Sequence, residues 1–140
     1  MRRSTHLKLL LVAVAVALTF WACNNSTPAT PTTPAATISE TFQGTLNPNG
    51  ARTFSFTTQA AGSVTTTLTS ITPDSTVAVG MALGTWNGSA CQIVLANDNA
   101  IQGTVLTGTL SAAGSLCTRV YDAAGSLTAP TSFIVTVVHP

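Results

Sequence analysis

The stretch that decides the fold is residues 76–96, which read TVAVGMALGTWNGSACQIVLA. In its first half, larger apolar residues (Val77, Val79, Met81 and Leu83) alternate with glycine and alanine. A period of two is typical of a β-strand, because successive side chains point to opposite faces. Asn87-Gly88 then provides a strong two-residue hairpin signal. The sequence therefore predicts a long strand over residues 76–86 and a returning strand over residues 91–96.

Short segments with the same period lie on both sides of this hairpin. Phe54 and Phe56 form one inward pair, and Val64, Thr66 and Leu68 form another inward set. Clusters of Asn, Asp, Pro and Gly separate the segments and predict turns. About eight short strands with turns every 8–12 residues are typical of an all-β sandwich or barrel with antiparallel sheets. The residues 97–99, Asn-Asp-Asn, are predicted to form a loop.

The N-terminal part predicts export. Arg2, Arg3 and Lys8 precede an apolar run over residues 9–20. This is the layout of a secretory signal, and the run is shorter than the roughly 20 apolar residues of a membrane-spanning helix. Ala22-Cys23 resembles the lipobox of bacterial lipoproteins. The resemblance implies that Cys23 becomes the acylated first residue, with plain secretion or an uncleaved anchor as alternatives.

The predicted domains follow from this start. We expect a signal peptide over residues 1–22, a lipidated Cys23 with a Pro/Thr-rich tether over residues 23–38, and a β-sandwich over residues 39–140. Prolines recur every three residues in the tether, which favours extended geometry. The lipoprotein resemblance also favours the outer membrane or the cell surface, since Asn24 is not the aspartate that often retains lipoproteins in an inner membrane.

The other two cysteines are predicted to pair. If Cys23 carries lipid, Cys91 and Cys117 remain, and an oxidising compartment allows them to form a disulfide. The alternative is two buried thiols.

Charge excludes nucleic acid as a partner. Charged residues make up only 6% of the chain. After the signal, two arginines oppose four acids, so the formal charge is 2 − 4 = −2, from Arg52, Arg119, Glu40, Asp74, Asp98 and Asp122. Nucleic-acid binding needs a basic patch, which this part of the chain lacks.

The sequence offers little to a catalyst, and we predict a protein that is not an enzyme and holds no cofactor. His6 lies in the signal and His139 is the penultimate residue. Neither a nucleophile-elbow motif nor a phosphate-binding glycine-rich motif occurs. No metal site is predicted, although Asp98 between two asparagines is a calcium candidate. The alternative for Asp98 is an ordinary turn residue.

Motifs along the domain resemble the bacterial pre-peptidase C-terminal domain. They are Phe54-Ser55-Phe56, Gly62-Ser63-Val64, the residues 96–99, Arg119-Val120-Tyr121 with Gly114, and residues 133–137. The resemblance implies a jelly-roll-like β-sandwich. It also implies a role in secretion, in collagen or polysaccharide binding, or in keeping a partner enzyme inactive.

These features together predict a lipid-anchored, non-enzymatic envelope module that binds a polysaccharide or a protein. The alternative is a structural or accessory envelope lipoprotein without a specific ligand. Trp86 breaks the inward pattern of the aromatic residues, so we consider it as a surface anchor for a ligand, with Asn87 and Tyr121 as polar neighbours. The alternative is that Trp86 folds over the hairpin end and shields Cys91.

Overall fold

The computed structural model describes residues 36–140, and these form eight β-strands. The strands are β1 (Ile38–Leu46), β2 (Ala51–Thr58), β3 (Gly62–Thr72), β4 (Val79–Trp86), β5 (Cys91–Ala100), β6 (Val105–Leu110), β7 (Gly114–Tyr121) and β8 (Thr131–His139). Within this range no helix is long and apolar enough to cross a bilayer. The predicted signal peptide, Cys23 and most of the predicted tether lie outside the described residues.

The eight strands form two four-stranded antiparallel sheets, which confirms the predicted β-sandwich. The first sheet has the order β1-β8-β3-β6, and the second has the order β2-β7-β4-β5. Strand 1 thus pairs with 8, 2 with 7, 3 with 6, and 4 with 5. This is the jelly-roll arrangement, in which one long hairpin is rolled into two facing sheets.

The core fills the space between the sheets and follows the alternation seen in the sequence. In β8 every second residue from Thr131 to His139 is buried. The predicted inward residues of β3, Val64, Thr66 and Leu68, are all fully buried. Burying a Val, Leu or Phe side chain contributes about 1.5–3 kcal/mol each, so this apolar set is what holds the two sheets together. Its larger members are Leu46, Phe56, Val64, Leu68, Ile71, Met81, Leu83, Val120, Phe133, Val135 and Val137.

Strand β4 starts later than the sequence predicted. The predicted strand began at Thr76, whereas β4 begins at Val79. The Asp74 carboxylate accepts hydrogen bonds from the Thr76 N–H at 2.8 Å and from the Thr76 hydroxyl at 2.7 Å. These bonds fold residues 74–76 into a local turn, which competes with strand pairing.

Strand β5 is longer than predicted. The predicted loop at residues 97–99 is in fact part of β5, because Asn97 pairs with Met81 and Ala100 pairs with Val79. Asn and Asp are poor strand formers, but here the neighbouring strand β4 supplies the pairing. Tertiary context has therefore overridden local propensity.

The predicted disulfide between Cys91 and Cys117 is present, with the Cα atoms 5.7 Å apart. The two cysteines lie on β5 and β7, which flank β4 in the sheet. Neighbouring strands are about 4.8 Å apart, so the beginning of β5 must fold over β4 to come this close. A loop of this length constrains the unfolded chain by about 3–4 kcal/mol in the entropic model.

Candidate functional site

The predicted ligand-binding residues lie on the outer face of the second sheet but not in one place. On β4, Gly80, Ala82, Gly84 and Trp86 point away from the core, since Val79, Met81 and Leu83 point into it. Tyr121 lies directly opposite Gly80. Trp86 is six positions further along β4, which at about 3.3 Å per residue is roughly 20 Å. Trp86 and Tyr121 thus share a face without sharing a site.

Trp86 is half-buried at the end of β4 and pairs with Cys91. It therefore lies beside the disulfide, on the side of the sheet that the strand parity predicted. Asn87 is exposed, and its side-chain oxygen accepts hydrogen bonds from the N–H groups of Ser89 and Ala90, at 3.0 Å and 2.8 Å. The Asn87 oxygen is committed to the hairpin turn. The role of Trp86 as a surface anchor stays a prediction.

Tyr121 lies across β4 and is tied to β5. A Cβ atom added at Gly80 would come within 2.4 Å of the Tyr121 ring, so the ring rests on the bare backbone of that glycine. The Tyr121 hydroxyl donates a hydrogen bond to the Asp98 carboxylate. Burial raises the pKa of Tyr121 above 10.0, and the bond to Asp98 and its charge raise it further.

The carboxylates within residues 36–140 are all engaged by nearby groups of the same domain. Glu40 lies 2.9 Å from the buried His139 ring. Asp74 accepts hydrogen bonds from the Thr76 hydroxyl and then from the Thr76 N–H, and Asp122 accepts backbone hydrogen bonds, so the pKa of each carboxyl is held below its ordinary value of 3.8. Asp98 accepts from Tyr121. In this part of the chain no three metal-ligating side chains are grouped, so Asp98 has no cluster of His, Cys or acidic partners around it.

The sequence analysis named Arg119 in a family motif and in the charge count, but not as a site residue. It lies on β7 between Cys117 and Tyr121, and its guanidinium carbon is 5.4 Å from the centre of the Tyr121 ring. The Arg119 Nε is buried and has no hydrogen-bond acceptor among the described residues. The sequence signal that points to it is its rarity, since residues 36–140 contain only two arginines and no lysine.

A second feature is the apolar side of the sandwich where β5 and β6 form the edges of the two sheets. The largest exposed apolar residues here are Val94, Val105 and Ile93, with 69%, 51% and 46% of their surface accessible. A cleft of about 430 Å³ opens between the edges. Gly108 lies between the inward-facing Leu106 and Leu110 of β6, and the missing side chain helps to leave this space. The cleft walls include Val64, Leu83, Val94, Leu95, Leu110 and Leu116.

A β-bulge explains why Ile93 and Val94 are both exposed. Leu83 pairs with Leu95 and the next residue, Gly84, pairs with Ile93, so Val94 is an extra residue without a partner on β4. A bulge bends an edge strand and re-aims its side chains. It also interrupts the regular edge that another strand would need for pairing. This edge therefore presents side chains rather than a flat backbone ladder.

Comparisons with known proteins identify the fold but no family. No family model and no curated protein matches the chain. Among solved structures, the chain is similar to PliG of Aeromonas hydrophila, described as a periplasmic lysozyme inhibitor of g-type lysozyme. The TM-score is 0.50 and the sequence identity is 16%, and the match covers 72% of this chain and 84% of that one. At this identity the likeness concerns the fold alone.

Proposed function

We propose that this protein is an exported, lipid-anchored, non-enzymatic module of the cell envelope that binds another protein. The observation that carries the proposal is the apolar side between β5 and β6. Apolar side chains exposed together on a small domain mark a surface for a partner. The residues concerned are Ile93, Val94 and Val105, beside the cleft.

The character of this surface favours a protein over a polysaccharide. Sugars are bound by polar groups and stacked aromatic rings. Most side chains that line the cleft are instead Leu or Val, three are threonines (Thr85, Thr107 and Thr109), and no aromatic residue contributes to it. Aliphatic side chains in a concave site fit the apolar side chains of a partner protein. The resemblance to pre-peptidase C-terminal domains agrees with a protein partner, because one role that it implies is keeping a partner enzyme inactive.

The N-terminal sequence and the disulfide both support placement in the cell envelope. The charged start, the short apolar run and Ala22-Cys23 support export and lipidation. The Cys91–Cys117 disulfide agrees with an oxidising compartment. PliG, which has a similar fold, is described as periplasmic and as an inhibitor of g-type lysozyme. A g-type lysozyme is therefore the first partner to test.

The test places a photo-crosslinking amino acid at position 94 of the full chain in living cells. Position 138 is the matched control, because Val138 is also an exposed valine but lies on the outer face of the first sheet. We expect one defined protein adduct at position 94 and none at position 138. In a purified assay with that protein, Val94→Ser should weaken binding about tenfold, the loss expected at an interface hot spot, and Val138→Ser should not.

Purified g-type lysozyme and soluble envelope polysaccharides form the other two arms. Binding of the lysozyme with the same dependence on Val94 would identify the partner class. Equal adducts at both positions, or binding of a polysaccharide with no protein adduct, would show that the proposal is wrong.

A further inference from the structure

Arg119 is a cation held in place but left without an anion. Its side chain is half-buried, and the Tyr121 ring backs the guanidinium at 5.4 Å. Within residues 36–140 no side-chain carboxylate lies within 4.0 Å of it, since the contact of this kind found there is between Glu40 and the His139 ring. The other arginine of this range, Arg52, donates its Nε hydrogen to the Thr45 carbonyl at 3.1 Å. Arg119 has no such bond from its buried Nε.

A buried donor without an acceptor is unfavourable, and the molecule offers no internal reason for it. Leaving such a group unpaired costs about 1–3 kcal/mol, and more when it is charged. Guanidinium presents five N–H donors in a fixed plane and accepts nothing, which matches a carboxylate in a two-bond geometry. A carboxylate from outside would bind the outer N–H groups of this half-buried guanidinium, because the buried Nε itself is closed to an incoming oxygen.

The neighbours of Arg119 across the sheet carry small side chains. Arg119 lies opposite Thr53 on β2 and opposite Ala82 on β4, and Ala82 in turn pairs with Ala96 on β5. Tyr121 stands on one side and the disulfide at Cys117 on the other. Asp98 lies beyond the ring, where its carboxylate is bonded to the Tyr121 hydroxyl.

We infer that Arg119, backed by Tyr121, is a carboxylate-binding subsite that accepts an acidic side chain of the protein partner. This inference rests on the proposed function and deepens it. Ala96 is two strands from Arg119, or about 10 Å, and the exposed Ile93 and Val94 follow on the same edge strand. A partner that presents an acidic residue close to apolar ones would contact both features. The apolar neighbourhood is the reason to favour a protein carboxylate over the uronic acid of a polysaccharide.

The experiment follows the arginine Nε–Hε signals of the full chain by NMR. The chain has four arginines, Arg2, Arg3, Arg52 and Arg119, so each signal is assigned with one variant. The probe is the capped tripeptide acetyl-Leu-Glu-Leu-amide, and the matched control probe has Gln in place of Glu. Glucuronate is the third probe. We expect a saturable shift of the Arg119 signal with the Glu peptide, no shift of Arg52, and at least about tenfold weaker binding of the Gln peptide.

The readout uses the unmodified protein, so it does not depend on a variant that folds poorly. Arg119→Lys should retain weaker binding of the Glu peptide, because lysine keeps the charge but loses the planar two-bond geometry. Equal shifts of Arg52 and Arg119, no saturation, or equal binding of the Gln peptide would overturn the subsite. Tighter binding of glucuronate than of the Glu peptide would show that the ligand of Arg119 is not the carboxylate of a protein side chain. A protein adduct at position 94 without a shift of the Arg119 signal would support the proposed function and reject the subsite. A shift of the Arg119 signal without an adduct at position 94 would support the subsite and reject the proposed function.

Discussion

Tyr121 is the single tyrosine of the chain, so its ionisation can be followed without interference. Its pKa is raised above 10.0 first by burial and then by the hydrogen bond and the negative charge of Asp98. The positive charge of Arg119 acts in the opposite direction. The residue thus reports on the electrostatics of the outer face around Arg119.

We predict that Asp98→Asn lowers the pKa of Tyr121 while leaving it above 10.0, because burial, the largest cause, remains. Arg119→Gln should raise it further. The measurement is a spectrophotometric titration of the phenolate. Asp74→Asn serves as the control, since that acid bonds to Thr76 in the turn before β4 and should change nothing. An unchanged titration in Asp98→Asn would show that the two side chains do not interact in solution.

At the scale of the strand, Gly84 is the point where β5 folds over β4. A Cβ atom there would lie 2.1 Å from the carbonyl oxygen of Gln92, which is backbone and has little room to move. The disulfide holds the same part of β5 against β7. A side chain at position 84 therefore opposes the crossing that lets Cys91 reach Cys117.

We predict that Gly84→Ala lowers the free energy of unfolding by about 1–3 kcal/mol or more, the range of an overpacked site. Gly114→Ala is the matched control on β7, because a Cβ atom there would meet nothing within 4 Å. It should change stability by less than about 0.5 kcal/mol. Denaturant unfolding of both variants measures the difference. Equal stabilities would mean that β5 does not cross at Gly84.

Asp122 joins elements that are distant in sequence. Its carboxylate accepts hydrogen bonds from the N–H groups of Asn49 at 2.9 Å, Ser126 at 3.0 Å and Leu127 at 3.3 Å. It thus ties the turn between β1 and β2 to the segment that leads into β8. These bonds, with that of Asn49 first, hold the pKa of Asp122 below 3.8. The folded pKa is lower than the unfolded one, so the stabilisation is present above pH 3.8 and is lost as the pH falls through the folded pKa.

We predict that Asp122→Ala lowers Tm at pH 7 and that its difference from wild type shrinks as the pH falls below about 3.8. Thermal unfolding over a pH series measures this. Asp74→Ala is the comparison, because the Asp74 carboxylate bonds only to Thr76 in its own turn and should matter less at every pH. A Tm difference for Asp122→Ala that does not depend on pH would contradict the role of the ionised carboxylate.

The sequence predicted the strands well because each strand alternates independently of its partners. Phe54 with Phe56, and Val64 with Leu68, reveal their inward faces within five residues. The disulfide followed from counting cysteines in a chain that is predicted to be exported. What could not be predicted depends on pairing between distant strands. The bulge that exposes Val94 arises from the register of β5 on β4, and the extension of β5 to Ala100 has the same cause.

The candidate site was predicted only in part for the same reason. Parity placed Trp86 and Tyr121 on one face, but only the register reveals that about 20 Å separates them. In the sequence, Arg119 was part of a family motif and one of a few charges, with no partner assigned to it. Arg119 stands out because no side-chain carboxylate of residues 36–140 lies beside it. The sequence cannot show this, because it depends on how the strands pair in the sheet.

At the scale of the whole domain, the ends of the described chain and the apolar cleft lie on opposite edges. Ile38, at the start of β1, pairs with His139, at the end of β8. Strands β1 and β6 are the two edges of the first sheet, and the cleft opens at β6. The strand nearest to the predicted tether is thus the one furthest from the proposed binding surface within its sheet. A partner at the cleft would leave the β1 edge free.

This arrangement lets anchoring and folding be separated by experiment. Every strand of the sandwich lies between residues 38 and 139, so the domain does not need Cys23 for its core. We predict that Cys23→Ala loses the added acyl mass and moves from the membrane fraction to the soluble fraction, while Tm stays unchanged. Intact mass, fractionation and thermal unfolding measure the three outcomes.

The double variant Cys91→Ala/Cys117→Ala is the matched control, since it removes two cysteines but leaves the lipidation position intact. It should remain in the membrane fraction with its acyl mass and lose about 3–4 kcal/mol of stability, as expected for a loop of this length. Acyl mass and membrane retention should therefore change only in Cys23→Ala, and stability should change only in the double variant. If Cys23→Ala keeps the wild-type mass, apart from the substitution itself, and stays in the membrane fraction, Cys23 is not the lipidated residue. If the wild-type protein carries no acyl mass and retains residues 1–22, the apolar run at residues 9–20 acts instead as an uncleaved anchor.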